Sequence, residues 1–198
     1  MIDFLLNFLP EKSNFLNLFS YLTTRTILST LTGLMMVLFL GDFFIRQARS
    51  LQFKQSIGDR GPDSHKLKDG TPTMGGILII GSVVLSGFVW GDFTNKYLLI
   101  SLFCLFMFAL IGFADDLHKI KRKDQEGISG KSKIFWQFIC ACIIAVVLYS
   151  SAETKMHTSY IVPFFKDVVL DLGPWFVFIS IFIIVGSSNA VNLTDGLD

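Results

Sequence analysis

Cysteine is scarce in this sequence, 3 among 198 residues, and its placement excludes most of its chemistry. Cys104, Cys140 and Cys142 all lie inside apolar runs, where a thiol is a small buried side chain rather than part of a disulfide or metal framework. The opening stretch MIDFLLNFLP lacks a basic leading region and a small-residue cleavage site, and Glu11 and Lys12 follow it. A cleaved signal peptide is therefore not expected. Alternating ten-residue apolar segments are missing as well, which excludes a transmembrane β-barrel. No internal repeat or low-complexity tract occurs. The shortage with the widest consequence is of charge: Lys and Arg nearly vanish from the long apolar stretches and cluster in two of the connections.

What remains is 52% apolar, with a mean hydropathy of +0.57. That is too greasy for an ordinary soluble domain and reads as a membrane protein. Five segments, 21–44, 74–90, 97–114, 134–150 and 174–191, approach the roughly 20 apolar residues that cross a bilayer. Lipid offers the backbone no hydrogen-bond partners, so each span must satisfy its own, and a helix does so. The expected fold is an all-α polytopic membrane protein, a single membrane domain over 1–198 with five transmembrane helices. Trp90, Tyr97, Tyr149 and Trp175 would form one interfacial belt, with Trp136 marking the other side.

Orientation follows from the basic residues. Arg46, Arg49, Lys54, Arg60, Lys66 and Lys68 crowd the connection 45–73, and Lys119, Lys121, Arg122, Lys123, Lys131 and Lys133 crowd 115–133. The intervening connection has Lys96, and the fourth has Lys155 and Lys166. The bias places 45–73 and 115–133 in the cytoplasm. Three clusters of unusual polar residues then fall on one membrane face. The outer stretch ETKMHTSYIVPFFKDVVLDLG has an apolar core and is expected to form a short interfacial hairpin or helix.

The first cluster is FADDLHKIKRKD, where Asp115 and Asp116 stand at the cytoplasmic end of the third segment ahead of a basic run. Neighbouring carboxylates suit Mg²⁺ shared with a substrate diphosphate, and the cations suit the phosphates. A solvated helix end with ordinary inside lysines is the plainer reading of the same residues. An aspartate there opposes the helix macrodipole, which favours a functional reason. The second cluster is SHKLKDGTPTMGG. Thr71 is expected to cap the second helix with Pro72 at its first position, leaving Lys68 and Thr73 beside an anion-binding helix start. Gly75 and Gly76 would permit close approach, or serve packing alone. The third cluster is the terminal NAVNLTDGLD, in which Asn189, Asn192, Asp195 and Asp198 recur every three residues. In an α-helix they sweep half a circumference and in a 3₁₀ segment they form one stripe, with Gly186 and Gly196 loosening the helix. Polar groups at membrane depth are costly and usually functional. The competing reading is a helix that has emerged into water.

GPDSHKLKDGTPTMGG, GFADDLHKIKRKD and GSSNAVNLTDGLD, with VPFFKD outside, resemble the motifs of the polyprenyl-phosphate N-acetylhexosamine-1-phosphate transferases over essentially the whole chain. The resemblance implies transfer of phospho-N-acetylmuramoyl-pentapeptide from UDP-N-acetylmuramoyl-pentapeptide to undecaprenyl phosphate, giving lipid I and UMP with Mg²⁺ as cofactor. That is the first membrane step of bacterial peptidoglycan synthesis. It further implies an inner-membrane enzyme of about ten bilayer-spanning helices, often a homodimer, with a cytoplasmic cleft and no nucleic-acid partner. Asp115 would be the base or the organiser of the lipid phosphate, Asp116 its partner in holding Mg²⁺, and Asp195 a third catalytic carboxylate. Lys68, Thr73, Asn189, Asn192 and Asp198 match substrate-binding positions, and Lys119, Lys123 and Lys131 would meet phosphates. The chain stops inside the third motif. The family's principal Mg²⁺ ligand and a histidine-rich loop would follow, so this stretch corresponds to an N-terminal half expected to be inactive alone. A sister transferase of N-acetylglucosamine-1-phosphate is the nearest alternative, and an ion-conducting transporter is the alternative from another class.

Overall fold

The computed structural model describes residues 18–19, 21–50, 74–122, 127–162, 164–165, 167 and 169–195. Among them are five α-helices: α1 (Leu22–Ser50), α2 (Gly76–Trp90), α3 (Lys96–Arg122), α4 (Gly130–Ser150) and α5 (Trp175–Asp195). The protein is an all-α polytopic membrane protein. Helices α1, α3, α4 and α5 are long and apolar enough to cross a bilayer, and α2 is the shorter apolar helix. Its 15 residues rise about 22 Å, against a hydrocarbon core of about 30 Å.

All the helices except α2 run past at least one expected end, most consequentially α3. The apolar run stops near Ala114, yet the helix continues to Arg122. Lys119 lies 2.9 Å from Asp115 one turn behind it and 3.8 Å from Asp116, and such pairs hold a helix together after apolar burial ends. Lys119 and Lys121 in the final turn also suit the negative end of the macrodipole. The two aspartates are thus inside the helix rather than at its end, which corrects the expected position. A second correction concerns α2. Met74 has a left-handed backbone (φ 69°) and the helix begins at Gly76, two residues later than the expected segment 74–90. Thr71 and Pro72 themselves lie outside the described residues.

The chain divides into two compact units, 1–98 with 112–128, and 99–111 with 129–198. In the first, α1 packs on α2. A Cβ built on Gly33 would stand 3.6 Å from Ser86 Oγ and 3.9 Å from the Ser82 carbonyl oxygen. Small residues let these helices approach, and the two serine hydroxyls donate back to Ile79 and Val83 carbonyls at 2.7 and 3.1 Å. At the far end of the pair, Trp90 Nε1 donates to Thr32 Oγ1 at 3.0 Å and Arg25 Nε donates to the Trp90 carbonyl at 2.7 Å. The turn into α3 is closed by Asp92, whose Oδ1 accepts from the Thr94 N–H and hydroxyl at 3.0 and 2.7 Å. Asn95 then caps α3 by accepting the Tyr97 N–H at 2.9 Å.

In the second unit α4 packs on α5. Ser129 caps α4, accepting the Ser132 N–H at 3.4 Å. Gln137, Cys140, Ala141, Ile144 and Ala145 form its buried stripe, at the i, i+3, i+4 spacing of one helix face. Phe178 and Phe182 on α5 are 64% and 78% exposed, a cost in water and none in lipid. Between α4 and α5 both expected forms occur. A 3₁₀ turn (Lys155–Thr158) leads into an antiparallel hairpin of β1 (Ser159–Ile161) and β2 (Val169–Asp171), with Tyr160 opposite Leu170. Gly173, at φ 48°, takes the left-handed turn into α5 while its N–H meets Asp171 Oδ1 at 3.1 Å.

Candidate active site

Asp115 and Asp116 are adjacent, so an α-helix turns their side chains about 100° apart, and their surroundings differ accordingly. Asp115 is 7% exposed. Its Oδ1 accepts the backbone N–H of Ile128 at 2.8 Å, and its Oδ2 lies 2.9 Å from Lys119 Nζ. The side chain of Asp116 is 35% exposed, with Oδ1 3.8 Å from the same ammonium. One lysine therefore sits between two carboxylates, one buried and clamped and one partly exposed to solvent.

The clamp depends on a residue that sequence reasoning did not single out. A Cβ on Gly127 would collide with Asp115 Oδ1 and stand 2.8 Å from both Asp115 Cγ and Lys119 Cε. Only a glycine lets the chain pass this close and deliver the Ile128 N–H to the carboxylate. The signal available in sequence was a glycine in GISG shortly after the acidic pair, indistinguishable from an ordinary loop glycine.

In the second unit, Asn189 is half-buried on α5. Its Nδ2 donates to Gln137 Oε1 at 2.7 Å and to the Val185 carbonyl at 2.8 Å. Gln137 Nε2 in turn donates to Ser188 Oγ at 3.3 Å. Gln137 is 3% exposed, and it too was missed, being one polar residue in an apolar run. Asn192 is exposed one turn further on, and Lys131 is exposed in the first turn of α4. Asp195 is the last residue of α5. The helix passes Gly186 as regular α-helix, so the expected loosening there is absent. The predicted residues Lys68, Thr73, Lys123 and Asp198 lie outside the described residues.

The structure thus brings Asp115, Asp116 and Lys119 together in one unit, and Asn189 with Gln137 in the other. Among the described residues no three His, Cys, Asp or Glu side chains gather as a metal cage. Mg²⁺ needs no cage, since one or two carboxylates and substrate phosphate oxygens commonly hold it. Asp116, an oxygen donor reachable from solvent, fits that use. A separate cleft of about 490 Å³ is lined by Arg25, Thr26, Trp90 and Asp92 among others; among the described residues, none of the predicted site residues borders it.

A family model described as glycosyl transferase family 4 matches residues 98–198, just over half of the chain. The phospho-N-acetylmuramoyl-pentapeptide-transferase signature 1 matches residues 68–80, which hold Lys68 and Thr73.

Proposed function

The chain belongs to glycosyl transferase family 4, and on that premise we propose that it transfers phospho-N-acetylmuramoyl-pentapeptide from UDP-N-acetylmuramoyl-pentapeptide to undecaprenyl phosphate. Family and signature support a phospho-sugar transferase. The choice of donor and lipid is carried by one observation, the match of residues 68–80 to the signature of that particular transferase.

An oxygen of the lipid phosphate attacks the sugar-linked phosphorus of the diphosphate. The bond from that phosphorus to the bridging oxygen breaks, the electron pair leaves on UMP, and lipid I remains. No covalent help from the protein is required, so positioning and charge stabilisation carry the rate. The lipid phosphate, with a second pKa near 6, is mostly ionised at pH 7, so a general base is dispensable. The clamped geometry of Asp115 supports the organiser role, because a carboxylate already accepting from Ile128 and Lys119 holds the Lys119 ammonium in a fixed place. Lys119 then meets phosphate oxygens, and Asp116 would hold Mg²⁺. Bound Mg²⁺ would neutralise the diphosphate and the charge developing on the leaving UMP.

Lys68 and Thr73 would bind the nucleotide sugar from the signature segment, with Lys123 and Lys131 adding positive charge. For Asn189, Asn192 and Asp198 a substrate-binding role is proposed, and for Asp195 a catalytic one, on the family resemblance and the inside bias of Lys and Arg. The site would face the cytoplasm at a bacterial inner membrane, where a lipid phosphate meets a soluble nucleotide.

UMP release by the intact protein tests this reading, measured with polyprenyl phosphate, Mg²⁺ and either donor. Release with UDP-N-acetylmuramoyl-pentapeptide is expected. Release only with UDP-N-acetylglucosamine would replace the proposal with the sister activity.

A further inference from the structure

The amide of Asn189 can be oriented from its partners alone. Asn oxygen and nitrogen are usually assigned rather than observed, but the Val185 carbonyl can only accept, so the Asn189 atom 2.8 Å from it must be the nitrogen. That nitrogen also reaches Gln137 Oε1 at 2.7 Å, while Gln137 turns its own nitrogen to Ser188 Oγ. An asparagine amide has two N–H donors. Both are spent inside the protein. What Asn189 keeps is Oδ1, an acceptor, on a half-buried side chain.

We infer that Gln137 is a positioning residue that locks the Asn189 amide with Oδ1 outward, so that Asn189 recognises an N–H or O–H group of the nucleotide sugar and not a phosphate oxygen. The inference rests on the function proposed above and narrows it. The esterified diphosphate of a nucleotide sugar carries no proton at neutral pH and would repel a carbonyl oxygen, whereas uracil, ribose, acetamido and peptide groups all carry donors. Gln137 supplies the constraint from a neighbouring helix, 52 residues away in sequence. Its burial at 3% exposure means that neither water nor lipid substitutes for it. Polar contacts between membrane helices also serve as simple glue, and the test separates that role from positioning.

Dissociation constants of UDP-N-acetylmuramoyl-pentapeptide and of inorganic diphosphate are measured on the intact protein in its wild-type form and as Q137L and Q137E. Q137L removes the acceptor and is expected to weaken the nucleotide sugar about tenfold, the scale of one hydrogen bond, while leaving diphosphate unchanged. Q137E retains an oxygen acceptor and is expected to stay within about threefold of wild type. Equal weakening of both probes by Q137L, or of neither, overturns the inference; simple glue gives that unselective pattern together with a lower melting temperature. A wild-type protein that binds no nucleotide sugar overturns the ligand class and the proposed function together, whereas an unselective Q137L effect overturns this inference alone. Side-chain amide NMR reads the lock directly. Both Asn189 Nδ2 protons are expected to exchange slowly in the wild type and quickly in Q137L, and fast exchange in the wild type would sink it whatever binds.

Discussion

The backbone N–H of Ile128 meets Asp115 Oδ1 at 2.8 Å, so a loop residue beyond the end of α3 fixes a carboxylate inside it. The bond exists because Gly127 has no side chain to strike that carboxylate. Gly127→Ala is expected to push Asp115 aside and lose a hydrogen bond to a charged group. Such bonds contribute about 1.5–3 kcal/mol, which corresponds to roughly 10- to 100-fold in rate if felt fully in the transition state. UMP release should fall by that factor with the protein still folded by circular dichroism. Unchanged turnover in Gly127→Ala would show that the clamp has no bearing on catalysis.

Asp92 makes a prediction about pH. The hydroxyl of Thr94, and then its N–H, hold the Asp92 carboxyl below its ordinary value of 3.8. A carboxyl depressed in the folded state contributes stability above its unfolded pKa and loses it as pH falls through the lower folded value. The contribution is therefore complete at neutral pH and fades only below 3.8. Carbon-13 titration of Asp92 should give a midpoint under 3.8 in the wild type and one moved back towards 3.8 in Thr94→Ala. A midpoint that ignores the Thr94 substitution would show that the turn does not hold the carboxylate.

The helices and the acidic pair were legible in sequence because both are local. Apolar runs report lipid contact directly, and Asp115 and Asp116 stand next to each other. Helix ends were not legible where side-chain pairing outlasts apolar burial, as in α3 from Asp115 to Arg122. Gln137 and Gly127 escaped for a different reason. Each takes its meaning from one partner, Asn189 on another helix for Gln137 and the folded-back Asp115 carboxylate for Gly127. A single polar residue in an apolar run, or one loop glycine, carries no periodic trace of that partner. The opposite error arose at Gly186, where a glycine was read as a loosening and the helix passes through undisturbed.

The contact between α1 and α2 supplies a packing test. A Cβ on Gly33 would meet Ser86 Oγ at 3.6 Å, an ordinary van der Waals distance, so Gly33→Ala should change the melting temperature in detergent little. Gly33→Leu has no such room and should force the helices apart, at about 1–3 kcal/mol for overpacking. Equal stability of the alanine and leucine variants would place the α1–α2 contact elsewhere than this face.

Lys119 separates stability from function most sharply. Its side chain is 36% exposed and shared between Asp115, whose side chain is 11% exposed, and Asp116, at 35%. The exposed pair to Asp116 contributes about 0–1 kcal/mol once solvent screening is counted, and Asp115 keeps its bond from the Ile128 N–H, so Lys119→Met should lower the melting temperature only modestly. In the proposed mechanism the same ammonium meets phosphate oxygens, where a charged contact made in the transition state is worth several kcal/mol. UMP release should fall about 100-fold or more on that account. Lys119→Arg keeps the charge but spreads it over a planar fork suited to bidentate contact, and Asp115 Oδ1 already accepts from Ile128, so partial activity is expected. If Lys119→Met lost stability and activity in proportion, with Lys119→Arg restoring both, the lysine would be a structural pin for the end of α3, and the phosphate contact would have to come from another cation.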